Sequence, residues 1–394
     1  MRWSAVTVST GLALLVLLCG APRRTACAEE FRLTEVAPAQ VGMSARRLAV
    51  IDDIVQEGLR DKRLPGAVVL VGYQGRIVYR RAFGQRQLEP TPEPMTLDTV
   101  FDLASLTKPI ATGTSLMQLI EAGKLGLDDP VAQHLPAFGN HGKEVITIRH
   151  LLTHQGGLIA DNSMQDFAEG REKAIERLMA LEPLAAPGER LIYSDVGFMV
   201  LGELVSVVSG QTLDEYTRTH LFEPLGMRET MYLPTSISAD RFAPTEQRDG
   251  HWMRGEVHDP RAFALGGVAG HAGLFSTADD LARFAQAMLN GGLLGEARIL
   301  KPETVRLMTS PQQTPGGIRS LGWDKRTGFS SNRGDLLSPS ACGHGGFTGT
   351  GLWFDPEQQL FVIFLSNRVH PKGDGNVNSL IGRIGTVAAA AIRE

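Results

Sequence analysis

Two stretches of β-forming residues lie near opposite ends of this chain, and their separation limits the folds it can adopt. Residues 66–73 read GAVVLVGY and residues 76–84 read RIVYRRAFG, joined by Gln74-Gly75. β-branched and aromatic side chains on both sides of a glycine-containing pair predict a hairpin. Near the C-terminus, GTGLWFD at 349–355 and QLFVIFLSN at 359–367 flank Pro356-Glu357 and predict a second one. A hairpin alone is a poor sheet. The economical arrangement is one sheet built from both ends of the chain. Between them the periodicity is mostly helical, at 111–122, 148–153, 197–209, 212–221 and 277–290. Ser44 caps a further helical stripe carrying Leu48, Ile51, Ile54, Val55 and Leu59, and residues from about 376 onward read as a last helix. The expected class is α/β (α+β): an antiparallel sheet flanked by helices, with an inserted helical region. The sheet part covers about 44–110 and 255–394, and the helical part about 111–254.

The N-terminus predicts export. Arg2 precedes the apolar run GLALLVLLCG at 11–20, and Ala26-Cys27-Ala28 places small residues where a signal peptidase reads. The run is shorter than the ~20 residues a membrane-spanning helix needs. Residues 1–28 are therefore expected to be a cleaved signal peptide, leaving 29–394 exported to a periplasm or beyond with no stable span. Cleavage leaves Cys342 as the one remaining cysteine of three, which rules out an internal disulfide. The net charge of −4 is spread without long runs of one sign, so no nucleic-acid partner is expected.

The chemistry-bearing residues fall into three groups. In FDLASLTKPIATG, Ser105 and Lys108 are three apart; if Ser105 opens a helix, both side chains share one face. A serine hydroxyl needs a neighbour to take its proton, and a lysine held near cations or apolar surface can do so. In GERLIYSDVGFMVLGEL, Tyr193-Ser194-Asp195 stands before an apolar helix that Ser194 or Asp195 could cap. In CGHGGFTGTGLWFDP, His344-Gly345-Gly346 leads into a strand, where glycines let a ligand approach the backbone.

The order S-x-x-K, then Y-x-D, then H-x-G before a C-terminal strand resembles the serine β-lactamase and penicillin-binding-protein superfamily, in particular its class C β-lactamase-like branch. HLLTHQGGL at 150–158 and GVAGHAGLFSTADDLARF at 267–284 are similar to the same branch, so the resemblance covers roughly residues 40–390. It implies a β-lactamase/transpeptidase-like fold with no cofactor and no metal. Ser105 would be the acylated nucleophile, Lys108 its general base or proton relay, and Tyr193 a proton shuttle. The N–H groups of Ser105 and Phe347 would form the oxyanion hole.

Two departures from the family bear on the substrate. Asp195 stands where many relatives carry Asn, and His344 where antibiotic-hydrolysing members carry Lys. With Gly345 and Gly346 these are the expected substrate-binding residues. A neutral histidine and an added carboxylate make the pocket less welcoming to an anion, unless Arg368 supplies the missing charge. The expectation is an acyl-enzyme hydrolase acting on a small ester, amide or D-peptide. The alternatives are a genuine β-lactamase or D,D-carboxypeptidase, and a non-catalytic binding relative. His150 and His154, at i and i+4, are a candidate metal pair lacking the acid of H-E-x-x-H, against a helix end stabilised by histidine hydrogen bonds. His271 is expected to be structural, His258-Asp259-Pro260 a turn, and Ser276 or Thr277 a helix cap.

Overall fold

The computed structural model describes residues 1–5, 7 and 33–392. Most of the expected signal peptide, including its apolar run and cleavage site, lies outside the described residues. Both terminal hairpins form, and they pair with each other. The main sheet contains β1 (Thr34–Glu35), β2 (Gly66–Tyr73), β3 (Arg76–Gln87), β4 (Gln312–Thr314), β5 (Gly317–Arg319), β6 (Asp324–Thr327), β7 (Cys342–Gly346), β8 (Thr350–Asp355) and β9 (Leu360–Ser366). Their order across the sheet is β1-β3-β2-β9-β8-β7-β6-β5-β4, with the short strand Glu93–Pro94 beside β3. Strand β9 runs antiparallel to β2 from Leu360 opposite Tyr73 to Ser366 opposite Ala67. Every neighbour along this path is antiparallel except β1, which is parallel to β3.

Alternation along the central strands explains why they read as unbroken apolar runs. Val68, Leu70, Phe361, Ile363 and Leu365 enter one core, while Ala67, Val69, Val71, Val362 and Phe364 enter another on the opposite face. Each large side chain so buried contributes about 2 kcal/mol relative to exposure. The second face is covered by α1 (Val50–Arg60) and α5 (Asn378–Ala390), through Ile51, Ile54, Val55, Leu380, Ile381 and Ile384. The first packs against α4 (Ala278–Leu289) and shares its core with α2 (Thr114–Glu121) and α3 (Asp195–Ser209). Among the described residues no single helix is long and apolar enough to cross a membrane.

The caps follow the sequence. Ser44 Oγ accepts from Arg47 N, Ser194 Oγ from Gly197 N and Thr277 Oγ1 from Asp280 N. The stripe after Ser44 divides at Ala49 into Ala45–Leu48 and α1. Two features depart from the expected plan. Residues 104–121 are not one helix: a 3₁₀ turn at Ala104–Leu106 passes into a wide π turn at Lys108–Gly113 and only then into α2. Proline cannot donate a helical hydrogen bond and crowds the carbonyl of the preceding turn, so a regular helix through Pro109 is disfavoured. A small second sheet also forms, in which Leu274–Ser276 lies between Phe101–Asp102 and Met231–Tyr232. It ties the segment before Ser105 to chain that periodicity had placed in separate regions.

Candidate active site

Ser105 sits on a turn braced from below. Ala104 is held at φ 46°, in the left-handed region that costs an L-residue about 1–2 kcal/mol. The buried Asp102 carboxylate accepts from Ala104 N at 2.8 Å through Oδ1 and from His258 N at 2.7 Å through Oδ2. Burial raises the Asp102 carboxyl above its ordinary range, and these bonds offset only part of that. Thr348 and Thr350 donate to the carbonyls of Asp102 (2.7 Å) and Leu103 (3.0 Å), lacing the β7–β8 connection to the turn before Ser105. Gly346 makes this approach possible. A Cβ there would stand 2.1 Å from Thr350 Oγ1 and 2.3 Å from the Leu103 carbonyl oxygen.

Lys108 is fully buried. Its Nζ lies 3.0 Å from Ser105 Oγ, 3.2 Å from the His271 carbonyl oxygen and 2.6 Å from Asp195 Oδ1. Three neighbours match the three N–H bonds of an ammonium. Burial pulls the Lys108 pKa down, but Asp195, and after it Tyr193, outweigh burial and hold it above the usual lysine range. The lysine is therefore an ammonium at neutral pH, and Asp195, expected against substrate, faces the lysine instead. Behind Asp195, Asp259 Oδ1 accepts from His271 Nε2 at 2.9 Å and from Ala262 N at 2.7 Å. Burial would raise the Asp259 carboxyl; His271, the Ala262 N–H and Lys108 together hold it well below the usual range. Asp195, Asp259 and His271 bring three metal-ligating atoms within 4.8 Å of one another. These groups already serve Lys108 and each other, and a metal ion would face the lysine ammonium, so the cluster suits a hydrogen-bond network.

Tyr193 stands over the same lysine, its ring centroid 4.9 Å from Nζ. Three rings hold it: His154 at 4.4 Å, Phe329 at 5.3 Å and His344 at 5.9 Å between centroids. His154 lies beyond the helix Ile148–Leu152 with φ 58°, so it does not share a helical face with His150. His154 Nδ1 accepts from Ser194 N at 3.0 Å, while His150 Nδ1 meets the N–H and hydroxyl of Thr147. The metal pair gives way to two histidines that bond backbone. His271 Nε2 is bonded to Asp259, and Asp259 caps the helix Pro260–Ala264 rather than making a simple turn.

A cavity of about 500 Å³ opens over Ser105. Tyr193, Arg319, Phe329, His344, Phe347 and Arg368 contribute to its lining. Gly345 and Gly346 line it too; Lys108 and Asp195 do not. His344 donates from Nδ1 to the Gly345 carbonyl at 2.7 Å. Burial, reinforced by Arg319 and Lys108, pushes its pKa down to about 3, so it is neutral at physiological pH. Arg368 does reach the cavity, but its Nη1 donates to the carbonyl of Gly375 at 2.8 Å and its guanidinium lies 4.5 Å over the Phe347 ring. Asp102 and Arg319 went unread in the sequence. No spacing rule joins Arg319, in PGGIRSLGW, to Ser105, and only the sheet brings it there.

The chain was compared with known proteins. A family model described as Beta-lactamase matches residues 51–384. An Escherichia coli (strain K12) protein named "Putative D-alanyl-D-alanine carboxypeptidase" is 33% identical over 93% of this chain and 92% of its own. A Bacillus subtilis protein named N-acetylmuramyl-L-alanine amidase is 34% identical over 91% and 90%. Among solved structures, a penicillin-binding-protein homologue from Caulobacter crescentus superposes with TM-score 0.73 at 22% identity, covering 89% of this chain and 99% of that one. EstCE1, a hydrolase with promiscuous acyltransferase activity, superposes at 0.69 with 26% identity over 89% and 99%. With this likeness along nearly its whole length and a lysine-paired serine beneath an open cavity, the chain belongs to the β-lactamase family and is a serine hydrolase.

Proposed function

We propose that this protein cleaves a small ester or amide, of esterase or D-peptidase type, through an acyl-enzyme on Ser105. The observation that carries this reading is the buried Lys108 ammonium, held between Ser105 Oγ and Asp195 and covered by Tyr193. Ser105 Oγ attacks the carbonyl carbon. Tyr193 passes its phenolic proton to the departing oxygen or nitrogen and takes up the Ser105 proton, while the Lys108 ammonium holds Ser105 Oγ in place; water then releases the acyl group by the reverse relay. The N–H groups of Ser105 and Phe347 receive the oxyanion. The threonine bonds from the β7–β8 connection to residues 102 and 103 keep these two segments together. The curated relatives named as a carboxypeptidase and an amidase, and the solved hydrolase, all fit acyl transfer from such a serine. Efficient β-lactamase activity is not expected, because neutral His344 stands where a fixed lysine charge would meet the antibiotic's carboxylate. Export to a periplasm or beyond, by way of residues 1–28, belongs to the same reading.

A fluorophosphonate probe tests it. The folded protein gains one adduct in intact-mass measurement, and Ser105→Ala gains none. Folded wild type that takes no label, or equal labelling of Ser105→Ala, overturns catalysis at Ser105 and favours a binding protein. Ester turnover at least about 10-fold above cephalosporin turnover supports the substrate class.

A further inference from the structure

A second cavity, of about 520 Å³, lies beside the small sheet and shares no lining residue with the one over Ser105. Leu233, Ile237, Phe242, Val257, Phe263 and Phe275 give it an apolar wall. Phe242 and Phe275 meet edge to face, with ring centroids 5.8 Å apart. This size and this lining suit a small organic ligand. Two side chains of the wall stand out. Leu233 is 49% exposed and Phe263 45%, although both line the cavity. Leu233 also holds φ 47°, a conformation that strains a bulky L-residue and recurs at ligand clamps. A Cβ on Gly267 would stand 2.4 Å from Leu233 Cδ2, so the glycine leaves room for the leucine at this wall.

One polar group of this wall is left over. Arg254 lines the cavity, and its Nε is buried without a hydrogen bond among the described residues. Its Nη2 donates to Glu93 Oε2 at 2.5 Å, and Arg86 Nη2 donates to the same oxygen at 3.0 Å. Two guanidinium groups therefore share one carboxylate. Glu256, the acid on the cavity wall, accepts from Arg248 at 2.6 Å. Asp240, which also feels Arg86 and Arg254, is exposed, and water screens it. A guanidinium N–H left unmet beside apolar surface is unfavourable, and a charged acceptor satisfies it best.

We propose that this cavity is a second ligand site, which takes a small amphiphile with an apolar body and one carboxylate head, of the class of a medium-chain fatty acid. The body lies against Phe242, Phe263 and Phe275, and the head meets Arg254 Nε. The occupant is anionic because the unmet group is a cationic donor, and small because the cavity holds about 520 Å³. Phe275 belongs to the cavity wall and pairs with Asp102 across the small sheet, which joins this wall to the turn before Ser105. No lining residue is common to the two cavities, so the inference goes beyond the proposed reaction and does not depend on it.

The probe is octanoate, titrated calorimetrically into the whole protein. One site is expected, and shortening the probe to hexanoate should weaken binding about 10-fold, because two methylenes leave the apolar wall. Octanamide, which keeps the chain and loses the charge, should also bind about 10-fold more weakly than octanoate. Arg254→Gln should bring octanoate and octanamide to equal affinity. Leu233→Gly suits the backbone at that position and removes the side chain, so it should fold and bind octanoate about 10-fold more weakly. No binding to wild type at concentrations up to about 10 mM, or binding that neither variant changes, overturns the proposal. Octanoate that competes with a p-nitrophenyl ester, and binds both variants as it binds wild type, sits over Ser105 and overturns it as well. If Arg254→Gln does not fold, Leu233→Gly and the wild-type preference for octanoate over octanamide still decide. Calorimetry needs no turnover, so a protein that fails to hydrolyse esters can still show this site, and one that hydrolyses them can lack it.

Discussion

Two walls of the site, one behind Ser105 and one along β5 and β7, handle charge differently. Behind Ser105, the positive charge of Lys108 meets Asp195, Ser105 and the His271 carbonyl, and Asp259 and His271 are bonded to each other. Across the cavity, along β5 and β7, Arg319 is buried without a hydrogen bond and His344 is neutral. Groups bonded mainly to one another are held in one geometry, whereas a guanidinium without a hydrogen bond has all its donors left over. The first wall carries the groups proposed for chemistry, and the second a buried cation without a hydrogen bond.

The strongest way to break this comparison is to remove the cation from the wall behind Ser105. Lys108→Met should lower kcat/KM for a p-nitrophenyl ester by about 10²–10⁴-fold, the usual range for a group that serves proton transfer. A loss under tenfold would mean that Lys108 is only a packing element. Next comes the join between the walls. Gly346→Ala puts a methyl against Thr350 Oγ1 and the Leu103 carbonyl. Displacing the β7–β8 connection by that contact should cost about 100-fold in kcat. Retained rate with intact fluorophosphonate labelling would show that the Phe347 N–H is not needed.

A milder change sharpens the role of Asp195. Its charge helps keep the Lys108 pKa up against burial. In Asp195→Asn burial acts with less opposition, so the ammonium loses its proton at lower pH. The basic limb of the kcat/KM profile should move to lower pH, with about a tenfold loss at neutral pH from the missing charged contact. An unmoved limb would mean that the Asp195 charge does not govern Lys108.

The smallest effect concerns the wall along β5 and β7, and stability. Folded His344 refuses a proton down to a pH of about 3, while the unfolded chain takes one near 6.5. Between those values the unfolded state binds more protons, so stability is fullest above about pH 6.5 and falls as the solution is acidified. From pH 7.5 to 5.0 this amounts to about 2 kcal/mol. Denaturant midpoints of His344→Gln should differ less between the two pH values than those of wild type. An equal gap in both proteins would show that His344 is not responsible for acid lability.

Much of the fold was legible because it rests on local rules. The hairpins at 66–84 and 349–367, the Ser194 and Thr277 caps and the terminal helix all follow from patterns within about ten residues. The π turn at Lys108–Gly113 was half legible, since Pro109 disfavours a regular helix without saying what replaces it. Strands β4–β6 are short and partly polar, and carry little pattern. Asp195 was legible as a residue of the site but not in its direction: the Ser194 cap starts α3 at Asp195, and packing then aims its carboxylate at Lys108.

By itself, the sequence determined which residues could carry the chemistry and that the two ends of the chain had to share a sheet. Spacing of three puts Ser105 and Lys108 within reach, and a hairpin alone cannot bury its faces. Only the tertiary structure decided the charge of each group. Lys108 is an ammonium because Asp195, 87 positions away, outweighs burial, and His344 is neutral because burial and two cations act on it together. Protonation depends on neighbours within a few ångströms, and those neighbours come from segments that no local pattern connects. Arg319 is the clearest case: in the sequence it is one arginine among many, and in the fold it is a buried cation at the cavity wall without a hydrogen bond.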